Sequence, residues 1–193
     1  MRPIAATDTQ TQYRAVLEHC WSIFSVKLAD YGPAWRMFRL ISVVDQIYIK
    51  ARRIRRLEEL GGRGRVEDSA ADEYAGILNY AVISLWHLDS GDYDLPEALR
   101  DVRFEAEWTD LDVARRRYFA VGERARELLA RKNHDYGEAW REMAIESITD
   151  ELLSRTVRLK GLLEADPVDR DRVASQLYDV INYAAFALIR LDA

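Results

Sequence analysis

Three acidic side chains carry the first chemical suggestion in this sequence. Glu146 and Asp150 stand four residues apart, so on a helix both project from one face. Asp179 lies on a later helical stretch. Set against the first two, it would complete three carboxylates around one point. Such a set holds Mg²⁺, or equally Mn²⁺, with waters and phosphate oxygens filling the octahedron. It would make Glu146, Asp150 and Asp179 both metal ligands and catalytic groups. Asn182, one turn beyond Asp179, would orient substrate or a metal-bound water. Lys132 and Arg158 would neutralise phosphate, with Arg155 and Lys160 on the same helix as Arg158. A plainer reading competes for Asp150. Ser147-Ile148-Thr149-Asp150 and Ser42-Val43-Val44-Asp45 both match a capping box, in which the acid bonds back to the helix start. Glu146, which a cap does not need, favours the site.

The elements that must position these groups occur twice. Lys27-Leu28-Ala29-Asp30-Tyr31-Gly32-Pro33-Ala34-Trp35-Arg36 returns as Lys132-Asn133-His134-Asp135-Tyr136-Gly137-Glu138-Ala139-Trp140-Arg141. Upstream, Tyr13, Ala15, Val16 and Glu18 meet Tyr118, Ala120, Val121 and Glu123. Downstream, Ser42, Asp45 and Arg53 meet Ser147, Asp150 and Arg158, and Asn79-Tyr80-Ala81 meets Asn182-Tyr183-Ala184. One folding unit has been duplicated and fused. Lys27, Arg53 and Asn79 are thereby candidate substrate contacts of the first copy, as Lys132, Arg158 and Asn182 are of the second. The copies differ where it matters, because Ile41 stands for Glu146 and Gly76 for Asp179. Either the second copy alone is active, which is simpler, or each pocket draws on both halves.

Hydrophobic spacing predicts helices throughout. Tyr13, Val16, Leu17, Cys20, Phe24 and Leu28 keep the three-and-four interval of an amphipathic helix. A second helix is predicted over Ser42 to Leu60 and again over Ser147 to Leu163. A third is predicted over Ser69 to Leu88 and over Arg170 to Leu191. Gly32 and Gly137 sit where helix C-caps belong. The expected architecture is an all-α bundle of two tandem three-helix repeats related by a pseudo-twofold axis, residues 10–90 and 113–193, forming one compact domain. The linker 91–112 would carry one short helix. Asn79 and Asn182 lie on the polar side of third helices that have two buried sides. An amide there needs partners, so each Asn either lines a polar pocket or ties two helices together.

Composition narrows the classes. Hydrophobic residues make up 49% of the 193, enough for a full core. The formal net charge of -5 argues against a general nucleic-acid binder. The basic stretch Lys50 to Arg56, with Arg63 and Arg65, could grip phosphates or a nucleic-acid backbone, but a solvated helix face balanced by Glu58 and Glu59 is the favoured reading. Tyr31, Tyr136, Trp35 and Trp140 could stack on a base, although aromatics beside a helix turn are more often core. A single cysteine, Cys20, and an N-terminus without an apolar run point to a cytoplasmic protein. No apolar stretch is long enough to span a membrane. His87, His134 and Cys20 form no nucleophile arrangement, and three scattered histidines exclude the usual zinc site.

KNHDYGEAW, a helix ending VRLKGLL, and DVINYAAFAL resemble the nucleotide-modification-associated domain family in its tandem form. That resemblance implies a helical fold and a link to nucleotides. More distantly, the chain is similar to the MazG-like all-α nucleoside-triphosphate pyrophosphatases. Those enzymes use E-x-x-E and E-x-x-D to hold Mg²⁺ and release pyrophosphate. The nearest counterparts here are Glu146-x-x-x-Asp150 and Asp179-x-x-Asn182, one spacing off and one carboxylate short. The leading expectation is a Mg²⁺-dependent pyrophosphohydrolase of a nucleoside triphosphate or a nucleotide-like one such as a pterin triphosphate. The alternative is a non-catalytic nucleotide-binding or adaptor module that presents a pocket to a partner enzyme. Its partners would be small molecules rather than membranes or nucleic acid, and the fused pair could assemble further as a homodimer.

Overall fold

The structure is a computed structural model that describes residues 9–62, 69–90 and 110–192. Among them lie six α-helices and no strand. These are α1 (Thr9–Tyr31), α2 (Leu40–Glu59), α3 (Ala70–Ser90), α4 (Leu111–Tyr136), α5 (Ile145–Leu163) and α6 (Arg170–Leu191). A one-turn 3-10 helix precedes α2 at Ala34–Met37 and α5 at Ala139–Glu142. The short helix expected in the linker, Arg63, Arg65 and the N-terminal residues lie outside the described residues. No helix among the described residues is long and apolar enough to cross a membrane.

Each helix packs against its own counterpart: α1 on α4, α2 on α5, and α3 on α6. A pseudo-twofold axis relating the repeats requires this arrangement. Within a repeat, the third helix lies along the second, α3 on α2 and α6 on α5. The core is continuous across the repeats, from Tyr13, Leu17 and Ile47 to Ile148, Leu177 and Leu188. On the α1–α4 face, Leu17 meets Gly122, its own equivalent. A Cβ on Gly122 would stand 2.6 Å from Leu17 Cδ1, so the leucine occupies the space the glycine leaves.

The ends of the helices follow local chemistry. Gly137 takes φ 60° after α4 and its N–H reaches the Asn133 carbonyl, as the C-cap expectation required. Asp110 caps α4 by accepting from the N–H groups of Asp112 and Val113. The capping boxes expected at Ser42 and Ser147 do not form. Both helices begin two residues earlier, with Arg39 and Ala144 at the N-cap and no side-chain cap. The motif is used instead at α3. There the Asp72 carboxylate accepts from the Ser69 N–H at 2.8 Å, and the Asp72 N–H donates to Ser69 Oγ at 3.2 Å.

Candidate functional site: twin pockets

With the caps removed, Asp45 and Asp150 need another partner, and each finds one in the other repeat. Asp150 pairs with Arg55 and Asp45 with Lys160, at 2.6 Å for the latter. Arg55 and Lys160 are themselves equivalent positions, so these are two symmetry-related ion pairs across the α2–α5 contact. In both copies the aspartate pairs with a cation of the other half.

The three-carboxylate metal site is therefore not assembled. Glu146 is exposed near the start of α5, where it and Asp150 raise the pKa of Glu58, a smaller effect than burial. Asp179 sits on α6 among different neighbours, with Lys132 Nζ at 2.5 Å and Arg155 Nη1 at 3.0 Å. A Mg²⁺ site gathers carboxylate oxygens; here Asp150 and Asp179 are separately engaged by cations. Among the described residues no group of three or more His, Cys, Asp or Glu side chains could hold a metal ion. The donor set does not fit the expected Mg²⁺ or Mn²⁺.

What the structure does build is a pocket in each repeat. The first has a volume of about 390 Å³ and is lined by Lys27, Tyr31, Trp35, Lys50, Gly76, Asn79, Tyr80 and Ile83, with Phe24, Phe38 and Glu73 among the others. The second has about 360 Å³ and is lined by Lys132, Tyr136, Trp140, Arg155, Asp179, Asn182, Tyr183 and Phe186, with Leu129, Asn133 and Met143 among the others. The eight residues named first for each pocket are equivalent, position by position. Each of these two pockets is lined by its own repeat, while a third cavity is composite, with Gln12, Val16 and Asp72 of the first repeat facing Leu188 and Asp192 of the second. Volumes of this size suit a small organic ligand.

Each pocket has an apolar floor and a polar rim. In the second, Trp140 stacks on Phe186 with ring centroids 4.4 Å apart and carries the Arg141 guanidinium 4.4 Å from its centre. The tryptophan ring is thus already covered and belongs to the floor. The tyrosines are different. Tyr31 is 72% exposed and Tyr136 73%, each closing a helix at its pocket's mouth.

Asn79 and Asn182 line the pockets and also make packing bonds. Asn79 Nδ2 donates to the Cys20 carbonyl at 3.1 Å, and Tyr118 Oη donates to Asn79 Oδ1 at 2.6 Å. Asn182 Nδ2 donates to the Ala125 carbonyl at 3.3 Å, and Tyr13 Oη donates to Asn182 Oδ1 at 2.7 Å. Each tyrosine comes from the opposite repeat. Burial pushes both phenols far above their ordinary pKa, so they stay protonated donors. Each amide ties helices together and also lines its repeat's pocket.

Of the other expected contacts, Lys27 and Lys132 line their pockets. Arg53 instead pairs with the buried Glu73, which also takes Lys50 at 3.0 Å. Arg158 is exposed on α5 and does not line the second pocket. Most of the basic stretch is neutralised by acids in this way, with Arg56 on Glu59 at 2.9 Å. Arg155, expected beside Arg158 as a phosphate contact, lines the second pocket, and Lys50, expected only as part of the basic stretch, lines the first. Their signal was a cation kept at equivalent positions through a change of residue type.

A family model for nucleotide modification associated domain 1 matches the chain twice, over residues 27–88 and 132–191. The chain belongs to that family. The two matches begin at Lys27 and Lys132, so each contains the eight equivalent pocket residues, while Ile23, Phe24 and Leu129 lie just before them. Neither a curated protein nor a solved structure matches the chain.

Proposed function

We propose that the chain binds nucleotides or nucleotide-like phosphates in its twin pockets, as a binding module rather than a metal-dependent hydrolase. The observation that carries this reading is the repeated pairing of an exposed tyrosine with a lysine on one rim, Tyr31 with Lys27 and Tyr136 with Lys132. They lie one helical turn apart, above an apolar floor. An exposed phenol ring offers a base a face to stack on, worth about 1–3 kcal/mol per base in nucleic-acid complexes. A lysine four residues earlier offers a phosphate a cation at a separation that one nucleotide spans. The family's description, with its association with nucleotide modification, supports the same ligand class.

The Mg²⁺-dependent pyrophosphohydrolase expected from sequence has less support. Its proposed ligands Glu146 and Asp150 belong to the α2–α5 contact region, and Asp179 belongs to the second pocket. The test is calorimetric titration of the full chain with ATP, GTP, CTP and TTP in EDTA, alongside phosphate and pyrophosphate release with Mg²⁺. Binding in EDTA that falls when Tyr31→Ala and Tyr136→Ala are combined supports the module. Mg²⁺-dependent pyrophosphate release abolished by Asp179→Asn would overturn it in favour of the hydrolase.

A further inference from the structure

The twin pockets share their lysine, tyrosine, tryptophan and asparagine but differ in their acids: the first is lined by Asp72, which is held by Ser69 and has Ser175 as its equivalent, and by Glu73, the second by Asp179 alone. Glu73, buried on α3, draws in Lys50 at 3.0 Å and Arg53. The equivalent of Glu73 in the second repeat is Gln176. The acid there is Asp179, one turn along the helix, the equivalent of Gly76. From that place it reaches the motif lysine itself, Lys132, at 2.5 Å, together with Arg155 at 3.0 Å. The motif lysine of the first repeat, Lys27, makes no ion pair among the described residues. The acid at 179 pairs the second repeat's motif lysine, and neither acid of the first pocket pairs Lys27.

We infer that the two pockets have diverged in what they accept: the first takes the anionic group of a ligand on Lys27, while in the second Asp179 already stands where that anion would sit. Asp179 is itself an anion held by Lys132 and Arg155, and its side chain is only 15% exposed. A phosphate entering there must displace it or suffer its repulsion. This rests on the nucleotide-binding reading for the identity of the ligand, but the anion preference stands on the pairing of Lys132 with Asp179 and the lack of such a pair on Lys27. Gly76 is the determinant in the first pocket. A Cβ there would meet Lys50 Cε at 2.6 Å, the far end of a flexible chain that can swing aside. An aspartate at 76 would then pair with Lys50 and Lys27 as Asp179 pairs with Arg155 and Lys132.

The experiment is titration of the full chain in EDTA with ATP and, separately, with inorganic tripolyphosphate, which has no base to stack. The native chain is expected to take one equivalent tightly, lost in Lys27→Ala, and a second about tenfold more weakly. Asp179→Asn is expected to strengthen the second site about tenfold, and Lys132→Ala in that background to remove the gain. Gly76→Asp is expected to weaken the first site by a similar factor. Thermal melts without ligand verify that each variant is folded. Two equal sites in the native chain, or a weakening by Asp179→Asn, would overturn the inference. The expected pattern with tripolyphosphate but no binding of ATP would uphold the inference while overturning the nucleotide reading. Absence of Lys27-dependent binding of either anion overturns both.

Discussion

Tyr118 donates a hydrogen bond of 2.6 Å to Asn79 from the other half of the molecule, and Tyr13 returns the same bond to Asn182 at 2.7 Å. Each pocket wall is thus fastened by the repeat that does not line it. The pockets belong to single repeats, but their rigidity belongs to the pair.

That exchange fixes the effect of removing one hydroxyl. Tyr118→Phe leaves the buried Asn79 carbonyl oxygen without its donor, an imbalance that costs about 1–3 kcal/mol. Urea denaturation should show this loss, and Tyr13→Phe should show a similar one. In the double variant Tyr118→Phe with Asn79→Ala the two losses should fall short of additivity. Strict additivity would mean that the bond carries no stability.

Asp150 and Arg55 are 56% and 42% exposed, so their ion pair lies in high dielectric. Asp150→Ala is expected to lower stability by no more than about 1 kcal/mol and to leave nucleotide affinity unchanged. A large loss of ligand binding on calorimetry would return Asp150 to the role of a site residue.

Glu58 supplies a pH dependence whose sign can be stated. Its carboxylate accepts from Thr149 Oγ1 at 2.6 Å, and Thr149 lies 2.7 Å from the buried Tyr74 hydroxyl. Burial raises the Glu58 pKa, Glu146 and Asp150 add to the rise, and the Thr149 bond and Arg55 oppose it. An acid whose folded pKa lies above its unfolded value contributes stability at low pH, and that contribution is lost as pH rises through the folded pKa. The difference in melting temperature between Glu58→Gln and the native chain should grow in favour of glutamine as pH rises from just below the ordinary glutamate pKa. A difference that stays flat, or shrinks, refutes the assignment.

Chelation should be silent. With no suitable ligand cluster among the described residues, EDTA is expected to change neither the melting temperature nor nucleotide affinity. A metal-dependent shift in either, measured by scanning calorimetry, would show that a site exists elsewhere.

The helices were legible because burial imposes a period, and the period survives in Tyr13, Val16, Leu17 and Cys20 without knowledge of any partner. Gly32 and Gly137 were legible for a local reason: both sit at φ 60°, which few other residues adopt. The duplication made Lys27, Lys132, Asn79 and Asn182 visible as candidates. It could not say what Asp45 and Asp150 do, since their partners Lys160 and Arg55 lie in the opposite repeat. A serine three residues before each aspartate imitated a cap, and only the start of the helix decides between them. Asp179 likewise looked like a ligand for metal until its neighbours proved to be Lys132 and Arg155.

Leu17 against Gly122 has a consequence for the history of the chain. Residues facing their own equivalents across a twofold axis are identical in a true homodimer, where a leucine would confront a leucine and a glycine a glycine. The first would collide and the second would leave a hole. Once one copy had grown a side chain and the other had surrendered its own, neither half could return to pairing with itself. From then on the two halves were free to specialise, because they could no longer be exchanged.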